Sequence, residues 1–274
     1  MLLLSRAFHV AGVLALLIGC QSAMSDELVI PGSGNPETVL RALADAYNKQ
    51  QTQHHVLVPS STGTAGALRD IEAGTAVLAR VGRPLKGDEL ARGLTYIPLG
   101  RDPVTFVGGA GVKVKKLTSA QLVDIYTGKT TNWQDVGGKP GPIRAIGRES
   151  TDASRQAINR SLKPFETIVF GKDVKVVHLD PNMIELLDRF PTSLGFLNRS
   201  ALAACKTRVV FLALDDVEST PQNVGLGRYA LWVELGLIHK TGKLSPAATG
   251  FLEFVRSSEG IRLLRDHGVL AAAG

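Results

Sequence analysis

The sequence predicts an α/β fold, built as one large domain or two small lobes, on three observations. Strand-like runs alternate with amphipathic helical patterns along the chain, the alternation that gives largely parallel sheets. The 274 residues are 44% hydrophobic and 20% charged, a mixture that buries a real core and excludes disordered and fibrous architectures. Three turns rich in Gly, Ser and Thr each end a strand and open a helix.

The first element is an address. Met1 to Gly19 carries one charge, Arg6, before the apolar run Ala7 to Ile18. That run is shorter than the ~20 residues of a spanning helix and fits a secretory signal, so residues 1–25 are set aside as a signal segment. Leu17-Ile18-Gly19-Cys20 resembles a bacterial lipobox, in which the cysteine becomes the acylated N-terminus. Cleavage after Ala23-Met24-Ser25 is the rival; a cysteine closing the apolar run favours lipidation at Cys20. Either route exports the protein to the periplasm or cell envelope, and acylation anchors it to a membrane.

Leu28 to Ile30 predicts the first strand, with Asn35 as N-cap and Pro36 as first residue of the following helix. The buried stripe of that helix is Val39, Leu40, Leu43, Ala46 and Tyr47. His55 to Val58 is the second strand, the Ser60 to Gly66 turn opens a helix through Leu68 and Ile71, and Ala76 to Val81 is the third strand. Val104 to Val107 is a strand whose Gly108-Gly109 end marks a crossing to a second lobe. Thr118 to Gln121 is a capping box opening a helix that stops at Gly128. Ile143 to Ile146 is a strand entering the turn at 147–154, followed by a helix through Ile158. Asp180-Pro181 starts a helix that Pro191 ends; Leu231 to Ile238 is a return strand; Ser245-Pro246 begins a C-terminal helical pair. One lobe is then expected over 26–106 plus 229–274 and the other over 107–228.

The chemistry lies in the turns. A helix N-terminus presents unsatisfied N–H groups and about half a positive charge, so it attracts anions. Gly admits close backbone approach, Ser and Thr add hydroxyl donors, and Arg148 adds a two-pronged grip on an oxyanion. The same residues are also ordinary capping residues, and an arginine is often a surface ion-pair partner.

Other classes fall away. Thirty-one Lys and Arg against 25 Asp and Glu leave a formal charge of +6, but the basic residues are scattered and no basic-aromatic platform for nucleic acid exists. Two cysteines and dispersed histidines give no metal-ligand spacing, and no cofactor is expected. Cys205 reads as a free structural thiol. The chain has no G-x-S-x-G, H-E-x-x-H, complete P-loop or G-x-G-x-x-G motif, so an enzyme is not expected.

Leu117 to Lys129, then Asn132-Trp133-Gln134-Asp135-Val136-Gly137-Gly138 and Gly147-Arg148, resemble the PstS-like phosphate-binding proteins of bacterial ABC importers. Phe251 to Gly260 with Gly268-Val269-Leu270 is similar to that family's C-terminal end. The resemblance implies a two-lobed type II periplasmic binding protein with its ligand cleft between the lobes. Its ligand would be inorganic phosphate or a related oxyanion, its partner an ABC permease in the membrane, and its state monomeric. Carried onto this chain, the first anion-holding turn falls on Ser33, Gly34 and Asn35, the second on Thr64, and the arginine before the third helix is Arg148. Arg83, Asp152 and Ser154 complete the expected set.

Two positions depart from the family pattern. Gly82-Arg83 lacks a hydroxyl or carboxylate found in many members, and Asp152-Ala153-Ser154 stands where they carry Ser-Gly-Thr. A carboxylate in an anion cradle is repelled by phosphate at close range. Either Asp152 accepts a proton-bearing phosphate oxygen, or it pairs with Arg148 and closes the site. Two functions follow: a phosphate receptor for import, or an envelope lipoprotein with a degenerate anion site and an interaction role.

Overall fold

The computed structural model describes residues 26–203 and 205–272. The signal segment and Cys20 lie outside the described residues, so the lipidation site has no structural account.

The chain opens with β1 (Asp26–Val29), α1 (Glu37–Gln50), β2 (His54–Leu57) and α2 (Gly63–Ala73). Then come β3 (Ala79–Val81), the short α3 (Gly87–Leu90) and the long strand β4 (Leu94–Gly108). The middle of the chain holds β5 (Lys116–Leu117), α4 (Ser119–Tyr126), a 3₁₀ turn (Trp133–Val136), β6 (Arg144–Arg148) and α5 (Ala153–Ser161). It continues through α6 (Lys163–Glu166), β7 (Lys175–Val177), α7 (Asp180–Arg189), β8 (Ser193–Asn198) and α8 (Arg199–Ala203). After β9 (Val210–Leu214) and α9 (Pro221–Gly225), the chain closes with β10 (Trp232–Lys240), α10 (Pro246–Arg256), α11 (Ser258–Asp266) and β11 (Leu270–Ala271).

The architecture is α/β and two-lobed, organised around β4. From Leu94 to Pro103 this strand pairs antiparallel with β10, and from Val104 to Gly108 it pairs with β8 and β9. The order β3-β10-β4-β8-β6-β7 therefore runs through both lobes by way of one strand that changes neighbours. The expectation of largely parallel sheets fails here. β1–β2, β6–β7, β6–β8 and β5–β9 are parallel, while every pairing of β4 and β10 is antiparallel. Hydrophobic alternation fixes which residues face the core but says nothing about the direction of the neighbouring strand.

The glycine break at 108–109 has a different cause from the one expected. The partner change comes earlier, between Pro103 and Val104. A Cβ on Gly109 would come within 2.8 Å of the Phe190 and Pro191 carbonyl oxygens, so close packing explains that glycine. The expectation that Asn35 caps α1 also fails: Pro36 occupies the cap position and supplies no side-chain bond. The Thr118–Gln121 capping box forms as expected, with the Gln121 N–H donating to Thr118 Oγ1 at 3.1 Å.

Two aromatic clusters hold the framework. In the middle of the chain Tyr126 packs edge-on against Phe165 and Phe196, with ring centroids 5.5 and 5.8 Å apart. Its hydroxyl donates to the Ile146 carbonyl at 3.0 Å, which ties α4 to β6 just before Arg148. At the other end Tyr47 of α1 meets Phe251 and Phe254 of α10. Such pairs add about 0.5–1.5 kcal/mol each beyond their buried area. No helix among the described residues is long and apolar enough to cross a membrane.

Candidate functional site

Four helix starts converge on one cleft of about 550 Å³. One wall is made by the turn before α1, the turn before α2 and Arg83; the other by Arg148, the turn before α5 and the start of α7. The cleft thus gathers Ser33, Gly34, Asn35, Thr64, Arg83, Arg148 and Asp152 from positions up to 119 residues apart.

The first wall is rigid because Arg80 stitches it together. This fully buried side chain donates to the carbonyls of Ser33 at 2.7 Å, Pro59 at 2.6 Å and Ile30, and reaches Glu37 at 3.1 Å. Burial lowers its pKa, and the Glu37 carboxylate opposes that shift. The Ser33 N–H donates to the Arg80 carbonyl at 2.9 Å, and the Thr62 N–H to the Gly32 carbonyl at 2.9 Å. Gly32, with φ of +130°, has to be glycine because a Cβ would strike the Arg80 carbonyl oxygen. Neither α1 nor α2 donates a backbone N–H to its N-cap side chain, and the Gly63 N–H donates to Ser61 Oγ at 3.2 Å. Both helix starts therefore face the cleft without a hydrogen bond to the side chain of the cap residue. The signal for Arg80 was a lone charge in the apolar run Ala76–Val81.

Arg83 lines the cleft, yet its guanidinium is engaged. It forms a fork on Glu89 at 2.8 and 2.7 Å and donates to the Pro84 carbonyl at 2.8 Å. The fork holds the Glu89 carboxyl down at about 2 and raises the Arg83 pKa. Gly82 is explained by crowding, since a Cβ there would sit 2.8 Å from Asn35 Oδ1 and 2.9 Å from Ser33 Oγ.

The second wall is different in kind. Arg148 donates to Asp152 at 2.7 Å, to the His178 carbonyl at 2.9 Å and to Asp180. All three side chains are nearly closed to solvent, at 6%, 8% and 12% exposure. Burial pulls the Arg148 pKa down, but Asp180 and Asp152 outweigh it and hold the guanidinium charged. Burial pushes the Asp152 carboxyl up against the pull of Arg148, with Asp180 adding a like charge. Asp152 also accepts the Arg155 N–H at 3.0 Å, so α5 is capped where α1 and α2 are not. Farther out, His178 lies 2.8 Å from Glu149. Asp180 was legible only as a helix start; nothing in the sequence ties it to Arg148.

Ser154 does not face the cleft. It is fully buried and donates to Asn198 Oδ1 at 2.6 Å. The Asn35 amide donates to Asn198 Oδ1 at 2.8 Å and to Ser154 Oγ at 3.2 Å. Asn35 Oδ1, the atom a cap would use, accepts from the Ser33 hydroxyl at 3.3 Å instead of from a helix N–H, so Asn35 is no cap. The Asn35–Ser154–Asn198 network closes the floor of the cleft from both walls. Next to it Asp102, fully buried on β4, accepts the Ser200 N–H at 3.2 Å and the Ser200 hydroxyl. Burial pushes its carboxyl up to about 7, against Ser200 and Asn198.

A two-walled cleft fed by helix starts, on a frame crossed by β4, is the plan of a known superfamily. A family profile for a PBP superfamily domain matches residues 21–259. The chain belongs to the PBP superfamily. Among curated relatives, the phosphate-binding protein PstS of Borreliella burgdorferi is 24% identical over 93% of this chain and 94% of its own length. PstS of Bacillus subtilis is 25% identical over 86% of this chain and 77% of its own. A phosphate-bound putative phosphate ABC transporter substrate-binding protein from Clostridium perfringens superposes with a TM-score of 0.77 at 23% identity. That match covers 90% of this chain and all of the other. The phosphate transport receptor of Vibrio cholerae gives 0.66 over the same share of this chain. These structural likenesses establish a shared fold.

Cys205 forms no disulfide among the described residues. Its thiol faces the Ala201 carbonyl at 3.1 Å, and burial, with Asp180, raises its pKa, as suits a structural thiol. The described residues hold no group of three or more His, Cys, Asp or Glu that could bind a metal ion.

Proposed function

We propose that this protein is an exported solute-binding receptor for phosphate or a similar oxyanion, delivering it to an ABC permease. The observation that carries the reading is the first wall: α1 and α2 open onto the cleft with no capping hydrogen bond from their N–H groups to a cap side chain, beside the Ser33 and Thr64 hydroxyls. The PstS relatives support it by name and by matches that cover 94% and 77% of their own lengths. In this reading the receptor works as a monomer, and the lobes are 26–106 plus 229–274 and 107–228, bridged by β4. A lipid on Cys20 holds it at the membrane, and its task is binding rather than catalysis. Calorimetry of the purified protein against phosphate, arsenate, sulfate and organic phosphates tests the reading; heat from none of them overturns it.

The clasped Arg148 favours a second reading. A guanidinium already shared by two carboxylates offers an oxyanion little, and such a site suits an envelope lipoprotein acting through its surface. Silence toward every oxyanion would leave this second reading standing.

A further inference from the structure

The two walls of the cleft carry opposite charge. On the first wall Arg41, Arg80 and Arg83 stand against Glu37 and Glu89, which leaves one positive charge over, besides the two open helix starts. On the second wall Arg148 stands against Glu149, Asp152 and Asp180, which leaves two negative charges over. The innermost part of that surplus, one guanidinium with two carboxylates, is about nine-tenths buried. An unbalanced buried charge is costly, and the starts of α5 and α7 offset only part of it. The same cluster is also short of an acceptor, because Arg148 Nε is buried with no hydrogen-bond partner. Asp180 Oδ2 accepts none of the hydrogen bonds among the described residues. The cluster thus lacks one cation and one acceptor.

Inorganic phosphate brings no cation to this wall and worsens its charge. It is also small: five heavy atoms, none larger than the ~30 Å³ share of a water, fill at most about 150 Å³ of the 550 Å³ cleft. A cleft of this size sits within the range of roughly 300–1,000 Å³ typical of small organic ligands.

We infer that the cleft takes a zwitterionic phosphoryl compound, of the aminoalkylphosphonate or phosphoethanolamine class. Its phosphoryl group meets the starts of α1 and α2 beside Ser33 and Thr64, and its ammonium group meets Asp180 and Glu149 on the opposite wall. This inference rests on the oxyanion reading and names the ligand within it.

The test is calorimetry of the purified protein with 2-aminoethylphosphonate, ethylphosphonate and inorganic phosphate. The aminophosphonate should bind at least tenfold more tightly than ethylphosphonate, which has the same phosphoryl group and no cation. Asp180→Asn should cut that preference to under threefold. Glu149→Gln, at an exposed position, should lower it at least twofold and serves if the Asp180 variant does not fold. Equal or tighter binding of ethylphosphonate or phosphate overturns the inference and leaves the oxyanion receptor intact, as does a preference that neither variant moves. Binding of none of the three overturns both.

Discussion

The two walls of the cleft are built from the same unit, a strand followed by a hydroxyl-rich turn and a helix, yet they end in opposite chemical states. On the first wall the buried cation, Arg80, is spent on backbone carbonyls behind the turns, which leaves the helix starts open in front. On the second wall the cation, Arg148, stands in front and is clasped by side-chain carboxylates, one of which caps its own helix. The lesson is that an arginine beside a helix start makes an anion cradle only if nothing else in the fold claims it. One such claim, Asp180, comes from a different helix.

The sharpest way to break the contrast is at Arg80. Arg80→Ala strands the carbonyls of Ile30, Ser33 and Pro59 and the Glu37 carboxylate, and should cost about 4 kcal/mol of folding stability, measured by denaturant unfolding. A loss near zero would show that the first wall holds its shape without the stitch. Arg148→Ala should cost about 3 kcal/mol at neutral pH, because two nearly buried carboxylates lose their partner. That loss should shrink as the pH falls and the carboxylates take up protons. A loss independent of pH would mean that packing, and not charge, is at stake.

Asp102 offers a test on the strand shared by both lobes. Its carboxyl is raised from 3.8 to about 7, so the folded state holds a proton that the unfolded state releases. Its contribution to stability is complete below about pH 4 and is lost as the pH climbs through 7. Asp102→Asn should flatten this part of the stability profile, read from melting temperatures at pH 4.5 and 8. An unchanged profile would exclude Asp102 as the titrating group.

Asp152→Ser sharpens the comparison by making the second wall resemble the first. Freed from one carboxylate, Arg148 should bind inorganic phosphate and sulfate roughly tenfold more tightly, as expected for removing one like charge from a partly buried site. If sulfate alone gains, Asp152 was accepting a proton-bearing phosphate oxygen; if neither gains, Asp180 alone holds the guanidinium. The smallest effect is at the floor. Asn35→Ala removes two buried hydrogen bonds between the walls and should lower stability by about 1–2 kcal/mol while widening the protein's scattering profile. An unchanged profile would mean that the network does not hold the walls together.

Much of this was legible in the amino-acid order. The α/β class, the existence of helices after the turns at 32–35, 60–66 and 147–154 and at Asp180-Pro181, and the turns holding Ser33, Thr64 and Arg148 follow from local periodicity and capping chemistry, which act over a few residues. The motif of Leu117–Lys129 and the C-terminal block pointed to the superfamily that the chain belongs to. Which way each strand runs, and the point where β4 changes neighbours, were decided by pairings between distant segments that alternation alone does not encode. The site divides along the same line. The sequence supplied a carboxylate four residues from Arg148, near enough to pair within one turn. Only the tertiary structure brought Asp180 to the other side of that guanidinium, turned Ser154 away from the cleft, tied the Asn35 amide to Asn198, and set Arg83 on Glu89. The physical reason is that a charge takes whichever partner the packed fold places within about 3 Å, and sequence distance puts no limit on that choice.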